Sequence, residues 1–424
     1  MQKVLIITYY WPPAGGPGVQ RWLKFVKYLP EFGYQPIVYI PENPNYPILD
    51  KNLLKEVPEG LKILKSPIKE PYRWASLLSK KNTKSISSGI IPEKKPTLVE
   101  RLLLWIRGNF FIPDARKAWV KPSIAFLSKV LVEEDIKTVI TTGPPHSLHL
   151  IGMGLKAKYP IQWIADFRDP WTSIGYHKRL KLMASSARKH KTMEHEVLNK
   201  ADKIITTSET TKQEFEEITK KPIAVITNGY EQIDSSAGMG KAQHFTLSHF
   251  GSLLTGRNPE SLWTALQELV QENEDFKSAL RIQLAGVVGQ EVLQSVHAQG
   301  LSGFVDELGY LSHQENLKKQ QESQILVLLE IDSKETKGII PGKLFEYLAA
   351  KRPILAIGPK YWESAQMVLD TQSGRVFQHN EKDALKTVLL EWFEKYQRGD
   401  LGINSKGIEK YHRRSLTEAL ANFI

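Results

Sequence analysis

The chain has 424 residues, 41% hydrophobic and 24% charged, which is enough for two domains and unlike a disordered, collagenous or fibrous chain. Its formal charge of +11 is concentrated. Residues 62–121 hold fourteen Lys/Arg against four Asp/Glu, leaving about +1 for the rest, so a localised anionic partner is expected rather than general nucleic-acid coating. Cysteine is absent, which excludes disulfides, thiolate catalysis and cysteine-based metal sites.

Strand-like sequence begins at residue 3, so no signal peptide is expected. No apolar run nears the ~18 residues that span a bilayer, and the expectation is a cytoplasmic protein, soluble or peripheral at the inner membrane face. Candidate strands follow at 3–10, 36–40, 137–142, 161–165, 203–207, 223–226, 246–250, 281–286, 324–330 and 353–357. Amphipathic stretches at 18–29, 117–133, 185–201, 259–273 and 380–396 separate most of them. Continuous Ile/Val strands alternating with helices predict an α/β chain of two Rossmann-like, doubly wound domains facing a cleft. The alternation pauses at 62–121, read as a basic, aromatic-rich insertion with one helix at 98–107. It pauses again at 231–244, small and polar, read as an interdomain linker.

In such sheets, ligands sit at the carboxyl ends of strands. The first strand runs into a loop containing Gly15, Gly16 and Gly18, then a helix beginning near Arg21. Glycines there admit close backbone approach, and a helix N-terminus favours anions. A nicotinamide fingerprint needs glycine where Arg21 stands, although Glu42 could imitate its ribose-binding acid. A tight turn without ligand is the other alternative to a substrate-facing loop. After the third strand come His146 and His149, a spacing seen in metal sites, but no third ligand presents itself and no metal is expected. The next strand ends in Asp166-Phe167-Arg168-Asp169. Either Asp166 pairs with Arg168 as a structural ion pair, or the cluster binds substrate hydroxyls and steadies developing positive charge.

In the second half, strand 324–330 leads through a polar loop to a helix from Gly342 to Ala350. The helix N-terminus, with Lys343 in its first turn, suits a diphosphate. Glu346, three residues on, shares that face and can accept hydrogen bonds from sugar hydroxyls.

The segment Pro341 to Ala356 resembles the donor-binding motif of retaining GT-B glycosyltransferases (family 4-like), a class that builds bacterial surface polysaccharides. Residues 251–260 resemble that class's other phosphate loop. The Gly-rich first loop, Asn228-Gly229 and the closing segment Tyr411 to Ile424 match in outline, so the likeness spans the chain. It implies domains at 1–232 (acceptor) and 233–408 (donor), with 409–424 as a helix crossing back to the first. Glu346 would bind the ribose; Lys343, the Leu344 backbone and Arg257, with Gly251 and Ser252 in the same loop, would hold the diphosphate. Gly16 would approach the donor from the first domain, and Gly15, Gly18, Arg21 and His146 would line the acceptor side. Asp166, Arg168 and Asp169 would lie near the reacting carbon. The implied reaction is hexosyl transfer, with retention, from a UDP- or GDP-linked sugar to a saccharide or lipid-linked acceptor. It needs no cofactor and no enzymic nucleophile. Two positions depart from the pattern: Gly338 stands where a sugar-binding glutamate is usual, and Ser252 where an arginine is. They motivate an alternative, a non-catalytic GT-B-like protein that binds a nucleotide sugar or glycolipid.

Residues 98–121 interleave Leu, Trp and Phe with Arg and Lys. That suits an anionic membrane surface, with Lys178, Arg179, Lys181, Arg188, Lys189 and Lys191 extending it. The alternative is a helix packed on the first domain with a solvated basic face. No nucleic-acid module is recognised, and no nucleic-acid partner is expected.

Overall fold

A computed structural model describes residues 1–70, 98–175, 177, 180–232 and 243–424. Among them the chain forms two units, Met1–Asn228 with Arg413–Ile424, and Gly229–His412. The first holds β1 (Gln2–Ile7), β2 (Tyr34–Pro41), β3 (Lys62–Ser66), β4 (Thr138–Gly143), β5 (Gln162–Phe167), β6 (Lys203–Thr206) and β7 (Ile223–Val225). These pair in parallel in the order β3-β2-β1-β4-β5-β6-β7. The second holds β8 (Phe245–Phe250), β9 (Leu280–Ala285), β10 (Val305–Gly309), β11 (Ile325–Leu329), β12 (Ile354–Ile357) and β13 (Gly374–Phe377), also parallel, in the order β10-β9-β8-β11-β12-β13. Both are doubly wound sheets whose order reverses beside the first strand, between β1 and β4 and between β8 and β11. That reversal opens a crevice at the carboxyl ends of the strands.

Central strands read as predicted because both faces are buried. Val4, Leu5, Ile6 and Ile7 are sealed from solvent, as are Ile325, Leu326 and Leu328. The first strand stops at Ile7 rather than at residue 10. Three strands went unanticipated: β3, β10 and β13, each at a sheet edge. Residues 62–66 are therefore the edge of the first sheet, not the start of an insertion. The helix expected at 98–107 spans Leu98–Phe110, and residues 71–97 lie outside those described. Most of the expected linker, residues 233–242, also lies outside them.

The unit borders fall at 228/229 and 412/413 rather than at 232/233 and 408/409. Hydrogen bonds set them: Tyr230 N donates to the Tyr411 carbonyl at 3.1 Å, and its hydroxyl donates to the Ile408 carbonyl at 3.3 Å. The closing helix Arg413–Phe423 packs Leu416 and Leu420 onto Val4, Ile6, Trp22 and Leu23 of the first unit. Truncating the fully buried Leu420 to alanine would cost ~2–5 kcal/mol at that seam. No helix among the described residues is long and apolar enough to cross a membrane.

Candidate functional site

In the first domain, period-2 alternation along β5 decides what each residue faces. Trp163, Ala165 and Phe167 enter one core layer, while Ile164 lies on the layer of the helix Pro17–Tyr28. Asp166 follows Ile164 onto that helix. Its carboxylate accepts from Arg21 Nη2 at 2.9 Å, Trp22 Nε1 at 2.8 Å and Thr142 Oγ1 at 2.7 Å. Arg21 Nη1 donates to the Thr227 carbonyl at 2.7 Å. Arg21 and Asp166 are 1% and 0% exposed. Asp166 therefore forms an ion pair, but with Arg21 instead of Arg168, and neither Asp166, expected near the reacting carbon, nor Arg21, expected on the acceptor side, is available to a ligand.

Arg168 follows the strand end. Its backbone N–H and its Nε both donate to the Gly143 carbonyl, and Nη2 donates to the Pro144 carbonyl. The guanidinium lies over the Tyr10 ring, 5.7 Å from its centroid, and against Gly18, where a methyl group would fall inside it. Asp169 is half-buried, and among the described residues its carboxylate has no hydrogen-bond or ion-pair partner. Burial raises its pKa, with Arg168 acting against that rise. Gly16 adopts φ of +102° with open space where a side chain would stand, and no side chain caps the helix it starts. Gly15 is packed tightly against Ile48 and donates to its carbonyl at 3.0 Å.

His146 does not line an accessible surface, contrary to expectation. It is 4% exposed and stacks on Trp171 at 4.9 Å, with neither ring nitrogen partnered. The buried His149 and His190 and the half-buried His177 complete the cluster. Trp171 Nε1 donates to His190 Nδ1 at 3.1 Å, and the His177 and His190 rings meet edge to face at 4.6 Å. Burial is the first cause holding all four imidazoles below the usual histidine pKa, to about 3 for His149 and about 4 for His177. No group of His, Asp or Glu among the described residues could hold a metal ion.

Part of the basic segment turns inward. Arg116 pairs with the buried Glu70 at 3.1 Å beneath the Tyr9 ring. Trp119 stacks on Tyr39 at 4.9 Å and donates to Ser66 Oγ. Arg101, Leu102, Phe110, Lys117 and Lys121 remain exposed. Asn109 ties this region to the neighbouring segment by accepting from Met183 N at 2.7 Å. Lys181, Arg188, Lys189 and Lys191 are exposed nearby in sequence, whereas Lys178 and Arg179 lie outside the described residues.

In the second domain the predicted residues gather at the crevice between β8 and β11. Gly251 follows β8 with φ of +105°, close against Gly286 after β9. Ser252 is exposed beside it. Arg257 reaches across to Glu330, after β11, with Nε and Nη2 donating to Oε1 at 3.1 and 3.0 Å. Glu330 is 1% exposed, so Arg257 neutralises a buried carboxylate while remaining 31% exposed itself. The helix Gly342–Ala350 starts after Pro341 with no side-chain cap, leaving first-turn N–H groups for a ligand. Leu344 buries its side chain, and its N–H donates to the Pro341 carbonyl at 3.0 Å. Lys343 Nζ donates to the Phe250 carbonyl at 2.8 Å and lies 3.2 Å from His249 Nε2. Burial, then the nearby Arg257, push its pKa down to about 7. Glu346 accepts from Gln320 Nε2 at 2.9 Å and lies 3.7 Å from His313 Nδ1. Two members of this group, His249 and Glu330, escaped the sequence reading. The signal for Glu330 was a carboxylate directly after five apolar strand residues.

No protein-family model matches the chain, and no curated protein matches it. Solved structures do match, over its whole length, and they define the fold: two Rossmann-like domains of the GT-B glycosyltransferase type. A glycosyltransferase from Rickettsia africae is similar at 13% identity, with 100% of this chain and 97% of that one covered and a TM-score of 0.61. Sucrose-phosphate synthase from Thermosynechococcus elongatus is similar at 12% identity, 100% and 98% coverage and a TM-score of 0.59. The Anabaena protein HepE in complex with UDP is similar at 14% identity, 100% and 95% coverage and a TM-score of 0.56.

Proposed function

We propose that this protein transfers a hexosyl group from a UDP- or GDP-linked sugar to a saccharide or lipid-linked acceptor, with retention. The observation that carries the reading is the grouping of Lys343, Arg257 and an uncapped helix N-terminus at the reversal point of the second sheet. The leaving diphosphate concentrates negative charge as the glycosidic bond breaks, and fixed cations and N–H dipoles stabilise it most in the transition state. Lys343, Arg257 and the uncapped N–H groups of Gly342 and Lys343 take that role, with no metal or other cofactor, since the Leu344 N–H is already given to the Pro341 carbonyl. Glu346 accepts from the ribose hydroxyls. The departing phosphate takes the acceptor's proton, so the chain supplies no nucleophile. In the first domain, Asp169 and Arg168 serve the acceptor.

The exposed Arg101, Leu102, Phe110 and Lys117 support a second element of the reading: peripheral docking on an anionic membrane, where a lipid-linked acceptor resides.

A panel of nucleotide sugars, followed by thermal stabilisation and by mass spectrometry of products, tests the assignment. Glu346→Ala is expected to abolish donor turnover while the melt stays near wild type. Full turnover in that variant, or no stabilisation by any donor, overturns it.

A further inference from the structure

His249 lies on β8, 2% exposed, and none of the roles above uses it. Its Nδ1 stands 2.9 Å from the Val327 carbonyl of β11. A carbonyl only accepts, so Nδ1 carries the ring proton and Nε2 keeps a lone pair. Lys343 Nζ is the donor 3.2 Å from that lone pair, and it also donates to the Phe250 carbonyl. Two of the three ammonium hydrogens are thereby committed and one remains. Nζ sits beside Gly251, on the side where a side chain would come within 3.4 Å of it. Glycine keeps that approach open.

We propose that His249 is a positioning residue for donor recognition: the chain Val327–His249–Lys343 fixes the ammonium so that its remaining N–H passes Gly251 toward the donor diphosphate. This rests on the nucleotide-sugar reading of the site and adds a residue to it. The ring works as a neutral acceptor. Burial, then Lys343, hold its pKa well below the usual histidine range, with Arg257 acting the same way and the Val327 and Ser252 backbone opposing. Glu330, just after β11, and Glu346, on its own helix, face Lys343 and favour its charged form. A diphosphate favours that form further, so binding takes up a proton between the pKa of Lys343 in the unliganded protein and its higher value in the complex, and uptake vanishes well outside that window.

Two experiments test this. In 15N-labelled wild-type protein, long-range ring correlations should show His249 protonated at Nδ1 and bare at Nε2; a proton on Nε2 overturns the proposal whatever the variants do. UDP and GDP are then titrated calorimetrically from pH 6 to 9, in buffers of differing ionisation heat. His249→Asn keeps a donor for Val327 but offers Lys343 no acceptor. It should weaken binding of whichever nucleotide the wild type takes by about tenfold and shift the proton uptake. His249→Gln, with an acceptor near the Nε2 position, should stay within about threefold of wild type. In a Lys343→Met background, His249→Asn should change nothing further. Wild-type affinity and unchanged proton uptake in His249→Asn overturn the positioning role and leave the nucleotide-sugar reading intact. Failure of wild-type protein to bind either nucleotide overturns that reading instead.

Discussion

Arg21 and Asp166, 145 residues apart in sequence, form an ion pair at 2.9 Å in which neither side chain reaches solvent. The pair joins the first turns of the helix Pro17–Tyr28 to the carboxyl end of β5, and Trp22 and Thr142 complete the coordination of the carboxylate. Three residues on, the Asp169 carboxylate makes no hydrogen bond or ion pair among the described residues and feels only the nearby charge of Arg168. Two neighbouring carboxylates thus stand in different surroundings.

Removing one member of a buried pair strands the other's charge. Asp166→Ala should therefore cost ~3–5 kcal/mol, read as a lowered denaturant midpoint. Asp169→Asn should leave that midpoint almost unchanged while depressing transfer to the acceptor. A wild-type midpoint for Asp166→Ala would show that the pair adds nothing to the fold.

The four histidines of this cluster give the first domain an acid-sensitive stability. Their folded-state pKa values lie below the unfolded value near 6.5, so the unfolded chain binds more protons as pH falls past that value. Their contribution is complete above roughly pH 7 and is lost as pH falls from about 6.5 through about 4 for His177 and about 3 for His149. Denaturation series at pH 7.5, 6 and 5 should show falling stability with at most about 1.4 kcal/mol per pH unit for each histidine. Replacing His146 by Phe, which keeps the stack on Trp171 without a titrating ring, should flatten the slope. An unchanged slope in that variant would remove His146 from the account.

Membrane docking, if it uses the exposed face of the helix Leu98–Phe110, depends on both charge and apolar side chains. Co-sedimentation with vesicles containing anionic lipid should exceed that with neutral vesicles and decline with salt. Leu102→Glu combined with Phe110→Ser should weaken it severalfold, because two exposed apolar contacts are lost. Equal partition onto both vesicle types would end the electrostatic part of the proposal.

What the sequence disclosed followed from how local each feature is. Strands buried on both faces declare themselves as apolar runs, as Val4 to Ile7 do. The edges β3 (Lys-Ile-Leu-Lys-Ser), β10 (Val-Asp-Glu-Leu-Gly) and β13 (Gly-Arg-Val-Phe) each pair on one side only, and their polar residues mask them. In the site, Lys343 and Glu346 were legible because one helix carries both. Arg257 with Glu330, separated by 73 residues, and His249 with Lys343, separated by 94, meet only because the sheet order brings β8 beside β11. Asp166 was misjudged for a related reason. Its position at a strand end was visible, but the helix face that neutralises it was not.

The contact between Gly18 and Arg168 constrains how this sequence can drift. Gly18 has no unusual φ; the space is what matters, since any side chain there would displace the guanidinium lying against it. A residue larger than glycine at 18 would therefore push the flexible end of Arg168 off the Gly143 and Pro144 carbonyls, so substitutions at the two positions should be coupled, a small residue at 168 relieving a larger one at 18.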